Sequence, residues 1–66
     1  MIDNPDPDWA DNGRKVLCTL ADGSQHIGAL FCYDEFFDGE DEIPLFHIEL
    51  ENENIDIHTT QWKYLE

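Results

Sequence analysis

Val16-Leu17-Cys18-Thr19-Leu20-Ala21-Asp22-Gly23-Ser24-Gln25-His26-Ile27-Gly28-Ala29-Leu30-Phe31-Cys32-Tyr33 is the stretch on which the fold turns. Two runs rich in β-branched and aromatic residues flank Asp22-Gly23, the dipeptide that accepts the two positive φ angles of a type I′ hairpin turn. With those two residues as the loop, Val16 is expected to face Ala29, Cys18 to face Ile27 and Leu20 to face Gln25. One face then collects Val16, Cys18, Leu20, Ile27, Ala29, Phe31 and Tyr33, and this is the expected core. The other face carries Leu17, Thr19, Ser24, His26, Gly28, Leu30 and Cys32.

The same register bears on the two cysteines. Cys32 lies five residues beyond Ile27, the residue opposite Cys18, or roughly 16 Å at the strand rise. A disulfide needs Cα atoms within about 7 Å. The two are expected to be free thiols on opposite faces, Cys18 buried and Cys32 on the more open side.

Downstream, Asp34 to Glu42 holds Asp34, Glu35, Asp38, Glu40, Asp41 and Glu42 around Phe36, Phe37 and Gly39. No charge in it is balanced, so a loop is expected. Phe46, Ile48 and Leu50 alternate with His47 and Glu49, which reads as a strand over 43–50. Pro44 near its start suits an edge or a strand beginning. Glu51 to Asn54 makes a turn. A fourth strand is expected over 55–60, with Ile55 and Ile57 inward and Asp56 and His58 outward. Residues 61–65 alternate again, as a short fifth strand or a closing turn.

Upstream, Pro5 and Pro7 push Asn4 and Asp6 out of the α region, so residues 1–13 read as an extended acidic arm before a single β domain over 14–66. Trp9 either docks that arm or stands exposed as a contact. No window shows 3.6-residue periodicity. The expected fold is all-β: four or five antiparallel strands, strongly bent, as a small SH3-like barrel or half-barrel.

Sixteen Asp and Glu against three Lys and Arg leave the 66-residue chain at −13. Direct nucleic-acid binding, which draws on Lys and Arg displacing counterions from phosphates, is excluded as an expectation. So is an anionic membrane. The acidic, proline-broken start lacks the basic and apolar regions of a secretory signal, and no apolar run approaches the roughly 18 residues of a span. An intracellular protein is expected. With 41% hydrophobic residues the chain is too apolar for a disordered acidic tail.

Site chemistry is sparse. Gly39 or Gly13, aligned with the glycine of an EF-hand loop, leaves Leu45 or Thr19 where a bidentate acid belongs. His26, His47, His58, Cys18 and Cys32 lack paired zinc-ligand spacing, although the strand pattern allows His47 and His58 to be cross-strand neighbours on the outer face. No glycine-rich phosphate loop or nucleophile elbow occurs. Neither an enzyme nor a cofactor is expected.

Charge pattern carries more. Acids cluster at Asp3, Asp6, Asp8 and Asp11; at Asp34 through Glu42; and at Glu49, Glu51, Glu53 and Asp56. Arg14, Lys15 and Lys63 sit apart from the last two clusters. Glu49 and Glu51 on one strand face would stand about 6.6 to 6.8 Å apart, close to a row of phosphates. A surface built to clamp nucleic acid would accept such a row. Phe36 and Phe37 are adjacent, so a strand buries only one, and the other is free to anchor an interface.

The segment Gly13 to Gly23, with Thr60-Gln61-Trp62 near the end, resembles a family of small phage and prophage proteins of unknown function. Those proteins open with a Trp, continue with Val-Leu and a hairpin, and close on Thr-His-Trp; Gln61 stands here for the His. By type, the chain is also similar to small acidic phage inhibitors that mimic DNA, among them anti-CRISPR and anti-restriction proteins. That likeness implies a bacterial cytoplasmic inhibitor occluding the basic nucleic-acid groove of a host defence or replication protein, with a CRISPR effector favoured. The partner-binding residues expected are Asp34, Glu35, Phe36, Phe37, Asp38, Glu40, Asp41, Glu42, Glu49, Glu51, Glu53 and Asp56. The alternative is an SH3-like adaptor using Phe36, Phe37, Leu30 and His47, its acidity incidental.

Overall fold

A computed structural model describes residues 4–65. After a 3-10 turn at Trp9–Asp11, the strands are β1 (Lys15–Thr19), β2 (Gln25–Asp38), β3 (Asp41–Glu49), β4 (Asn54–Asp56) and β5 (Gln61–Tyr64). They form one antiparallel sheet in the order β4-β3-β2-β1-β5. The all-β antiparallel class is as expected, and residues 61–64 do add the fifth strand. The sheet is not closed into a barrel, since β4 and β5 are its edges. It is nevertheless curled. Four strand spacings of about 4.8 Å would hold the edges of a flat sheet about 19 Å apart. Here the short link over 57–60 joins β4 to β5 through a turn, and the Trp62 indole N–H donates to the Ile57 carbonyl at 3.0 Å.

The hairpin register differs from the expected one by a single residue. Lys15 pairs with Ala29, Val16 with Gly28, Leu17 with Ile27 and Cys18 with His26. Among the described residues only glycines have positive φ, so Asp22 cannot supply its half of a type I′ turn. Instead the loop takes a third residue. The Leu20 N–H donates to Ser24 O, Gly23 N–H closes on Leu20 O, and Gly23 adopts φ +89°. Asp22 Oδ1 accepts from both the backbone N–H and the hydroxyl of Ser24, at 2.9 and 2.6 Å. This Asx turn fixes the longer loop.

A one-residue slip moves every β2 side chain to the other face. The core is therefore Val16, Cys18, Leu30, Phe46, Ile48, Ile57 and Trp62, with Cys32, Leu50, Ile55 and Tyr64 packed against it. Val16 and Cys18 were expected there. Ile27, Phe31 and Tyr33, also expected inside, are 64%, 44% and 54% exposed on the outer face. Leu30, expected outside, is buried. Both cysteines are free, as expected, but they share the core face rather than opposing one another. Burial raises the Cys18 thiol above its ordinary pKa.

Gly28 explains how the sheet closes over this core. A Cβ there would lie 2.7 Å from the Glu49 carbonyl oxygen, 2.7 Å from Ile48 Cγ2 and 2.8 Å from Leu50 Cδ2. Gly28→Ala is expected to cost about 1–3 kcal/mol, the usual penalty of overpacking, read as a lower denaturation midpoint in urea at unchanged m-value. An unaltered midpoint would mean that β3 is free to move away.

The arm is fastened at points other than Trp9, which is 44% exposed. Pro7 is buried. The Asn4 amide donates to the carbonyls of Ile57 and Thr60 at 2.9 and 2.7 Å, and its oxygen accepts the Trp62 N–H at 3.0 Å. Further along, Asn12 Oδ1 accepts the Cys32 N–H at 2.9 Å.

Candidate functional site

Beyond Cys32 the β2–β3 hairpin outruns the rest of the sheet. β1 pairs with β2 no further than Ala29, and β4 reaches β3 only from His47 to Glu49. Asp34 to Asp38 and Asp41 to Leu45 therefore pair only with each other, and the segment expected as a loop is a two-stranded projection. The molecule is correspondingly elongated, 39 × 25 × 22 Å. A register shift between Cys32 and Asp34 starts the projection, and Gly39, at φ +67°, turns it at the tip. Such a bulge increases the local twist and re-aims the strand.

Asp34, Glu35, Asp38, Glu40, Asp41 and Glu42 are all exposed here. Asp38 pairs across the strands with Asp41, and Phe37 with Glu42. By strand alternation Phe36 shares a face with Ile43, and Phe37 lies on the other with Glu42. Neither phenylalanine is buried, against the expectation that the strand would cover one; they are 45% and 68% exposed.

Glu35 and Glu42 are close enough to share a proton. Glu35 keeps the proton and donates it to the Glu42 carboxylate, and this bond, with partial desolvation and repulsion from Glu42 and Asp34, raises the Glu35 pKa above its ordinary value. For an acid whose folded pKa is raised, the stabilisation is complete below the unfolded value and lost as pH climbs through the folded one. The ionised pair therefore opposes the fold at neutral pH. Carbon-detected NMR titration should place the Glu35 midpoint above that of a model-peptide glutamate, and Glu42→Gln should lower it. An unmoved midpoint would mean that the two carboxyls do not interact.

The remaining acids do not join this projection. Glu49 ends β3 at its far end, about 26 Å from Asp41 at the strand rise. Glu51 and Glu53 lie in the following turn, where Leu50 N–H donates to Glu53 O. The expected row of Glu49 and Glu51 on one strand face is thus absent, because the strand stops between them. Asp56 closes β4 opposite His47, and His58 lies beyond the strand rather than beside His47.

Two features went unanticipated. His47 stacks between Phe31 and Tyr33, at ring-centroid distances of 5.4 and 5.0 Å, on the outer face. Its buried Nε2 has no hydrogen-bond partner among the described residues. Beside this ladder, a cavity of about 280 Å³ opens between the arm, the bulge and β4, with Tyr33, Phe36, Asp6 and Asp56 on its walls. No local motif could have flagged it, since Asp6 and Asp56 are fifty residues apart in sequence.

Among the described residues, no group of His, Cys, Asp and Glu is arranged to hold a metal ion, and no helix is long and apolar enough to cross a membrane. No protein-family model, curated protein or solved structure matches the chain.

Proposed function

We propose that this chain is a non-enzymatic inhibitor, encoded by a phage and acting in the bacterial cytoplasm. It offers carboxylates in place of phosphates and occludes the cationic nucleic-acid-binding surface of a host defence protein, with a CRISPR effector the first candidate. One observation carries the reading. The β2–β3 projection holds six carboxylates on a two-stranded antiparallel frame, close enough that the Glu42 carboxyl raises the pKa of Glu35. Lys15 and Lys63 stand on β1 and β5, in the other half of the sheet. Like charges held together at a cost to the free protein are relieved when a cationic surface closes over them. Phe36 and Phe37 supply apolar contact within the acidic surround.

The test is phage plating on a strain with active CRISPR interference. Expression of the wild-type chain is expected to restore plaques. Asp34→Lys, Glu35→Lys and Glu42→Lys together should abolish that effect while circular dichroism stays native. With about 1.5 kcal/mol or more for each close charge pair across an interface, three reversals weaken binding by roughly a thousandfold or more. A folded triple variant that still protects the phage overturns the proposal.

A second reading, the SH3-like adaptor, is favoured by Ile27, Phe31 and Tyr33 exposed on the outer face. Leu30 is buried and drops out of it. Under that reading Ile27→Ser with Phe31→Ser removes binding, and added salt does not. Under the first, salt weakens it steeply.

A further inference from the structure

We infer that the cavity between the arm, the β2 bulge and β4 is a seat for an arginine side chain of the partner protein. The inference rests on the reading of a cationic protein partner given above and specifies how that partner is gripped.

The walls combine two kinds of group that attract a flat cation. Tyr33 and Phe36 present exposed aromatic rings, and Tyr33 is held by near-parallel stacking on His47, 7° between planes. Aromatic faces attract guanidinium through the ring quadrupole. Asp6 and Asp56 add carboxylates from opposite sides of the chain. Among the described residues, neither Asp6 nor Asp56 forms a salt bridge with Lys, Arg or His. Both are positioned: Asp56 Oδ1 accepts the His58 N–H at 2.7 Å, and buried Pro7 follows Asp6.

The chain already contains a filled arrangement of the same kind. The Arg14 guanidinium lies 3.8 Å over the centroid of the Tyr64 ring and bonds Asp11 at 2.9 Å. Tyr33, Asp56 and Asp6 bring the same residue types, a tyrosine and aspartates, to the walls of one cavity. Arginine suits this better than lysine. Its planar, weakly hydrated head stacks on a ring while its fork engages a carboxylate, whereas the compact ammonium keeps its water.

The test uses the peptides acetyl-Gly-Arg-Gly-amide and acetyl-Gly-Lys-Gly-amide, titrated into isotopically labelled full chain at physiological ionic strength. The arginine peptide is expected to give saturable shifts at Tyr33, Phe36 and Asp56, with the lysine peptide weaker. Tyr33→Leu should lower the arginine affinity roughly two- to fivefold, the reach of one exposed cation–π contact. Asp56→Asn keeps the acceptor for His58 and should lower it further. His58→Lys, on an exposed residue of the same wall, places a tethered cation in the cavity and should abolish binding. Equal response to both peptides, or shifts confined to Glu35 and Glu42, overturns the arginine seat and leaves the inhibitor reading standing. Arginine bound in the cavity, with phage protection untouched by the triple charge reversal, keeps the seat and overturns the inhibitor.

Discussion

Trp62→Ala is expected to leave the chain largely unfolded at room temperature. A domain of this size has a total stability of about 3–10 kcal/mol, and truncating a buried tryptophan removes about 3–5 of it. Here two further burdens apply. Trp62 is the β5 residue that packs on Cys18, and its ring meets Tyr64 edge-on at 5.3 Å. Its indole N–H also holds the Ile57 carbonyl, so the loss opens the seam between the two edge strands. A net charge of −13 adds self-repulsion that the remaining core must resist. Trp62→Phe separates the contributions, since it keeps most of the ring and loses the hydrogen bond, worth about 0.5–1.5 kcal/mol. Thermal unfolding by circular dichroism should show native signal for the phenylalanine variant and little for the alanine variant. Sodium chloride should partly rescue the latter by screening the repulsion. A cooperative melt of Trp62→Ala within a few degrees of wild type would show that the seam is not held by Trp62.

The strands were legible because alternation and turn chemistry are local. Val16 and Cys18, then Phe46 and Ile48, announce buried positions by period two alone. The face of β2 was not legible, because it depends on whether Ala21 belongs to the loop, and nothing in Asp22-Gly23 decides between two residues and three. Ser24 decides it, by bonding back to Asp22. That single choice exchanges Ile27, Phe31 and Tyr33 for Gly28, Leu30 and Cys32. Gly28 was the available clue: a glycine within a β-prone run marks a close approach of neighbouring chain, and such approach happens on the packed side.

The acidic projection was legible as composition but not as shape. Repulsion argues against pairing Asp38 with Asp41, yet Phe36 with Ile43 and the backbone ladder outweigh it, because exposed charges interact weakly across water. The reach of Glu49 and Glu51 was overestimated for the opposite reason, as one residue at a strand end fixes where alternation stops. The cavity could not be read at all. It forms where the chain's first described residues return to its last third, and only Asn4 reveals how.

Asn4→Asp is the second change expected to have a large effect, although it alters one atom. The Asn4 amide nitrogen donates to two carbonyls and its oxygen accepts one backbone N–H, so every part of the group is used. In the aspartate, an anionic oxygen replaces that nitrogen and faces the carbonyl oxygens of Ile57 and Thr60, with no hydrogen to share. The Ile57 carbonyl retains the Trp62 indole, but Thr60, a buried residue, loses the Asn4 amide from its carbonyl. At about 1–3 kcal/mol for each part-buried polar group left unsatisfied, the expected cost is about 2–4 kcal/mol. Since Asn4 anchors the segment that carries Asp6 and Pro7, the arm should detach before the sheet unfolds. Hydrogen exchange is then expected to quicken at the Trp62 amide, which loses its ordered acceptor, while the amides pairing β1 with β2 stay protected. Asn4→Ala removes the same bonds without adding charge and should release the arm at a smaller cost. Because Asp6 leaves with the arm, both variants should also weaken the arginine peptide. If Asn4→Asp kept the Trp62 amide as slow as in the wild type, the arm would be held by Pro7 rather than by Asn4, and the three bonds would be consequences of docking instead of its cause.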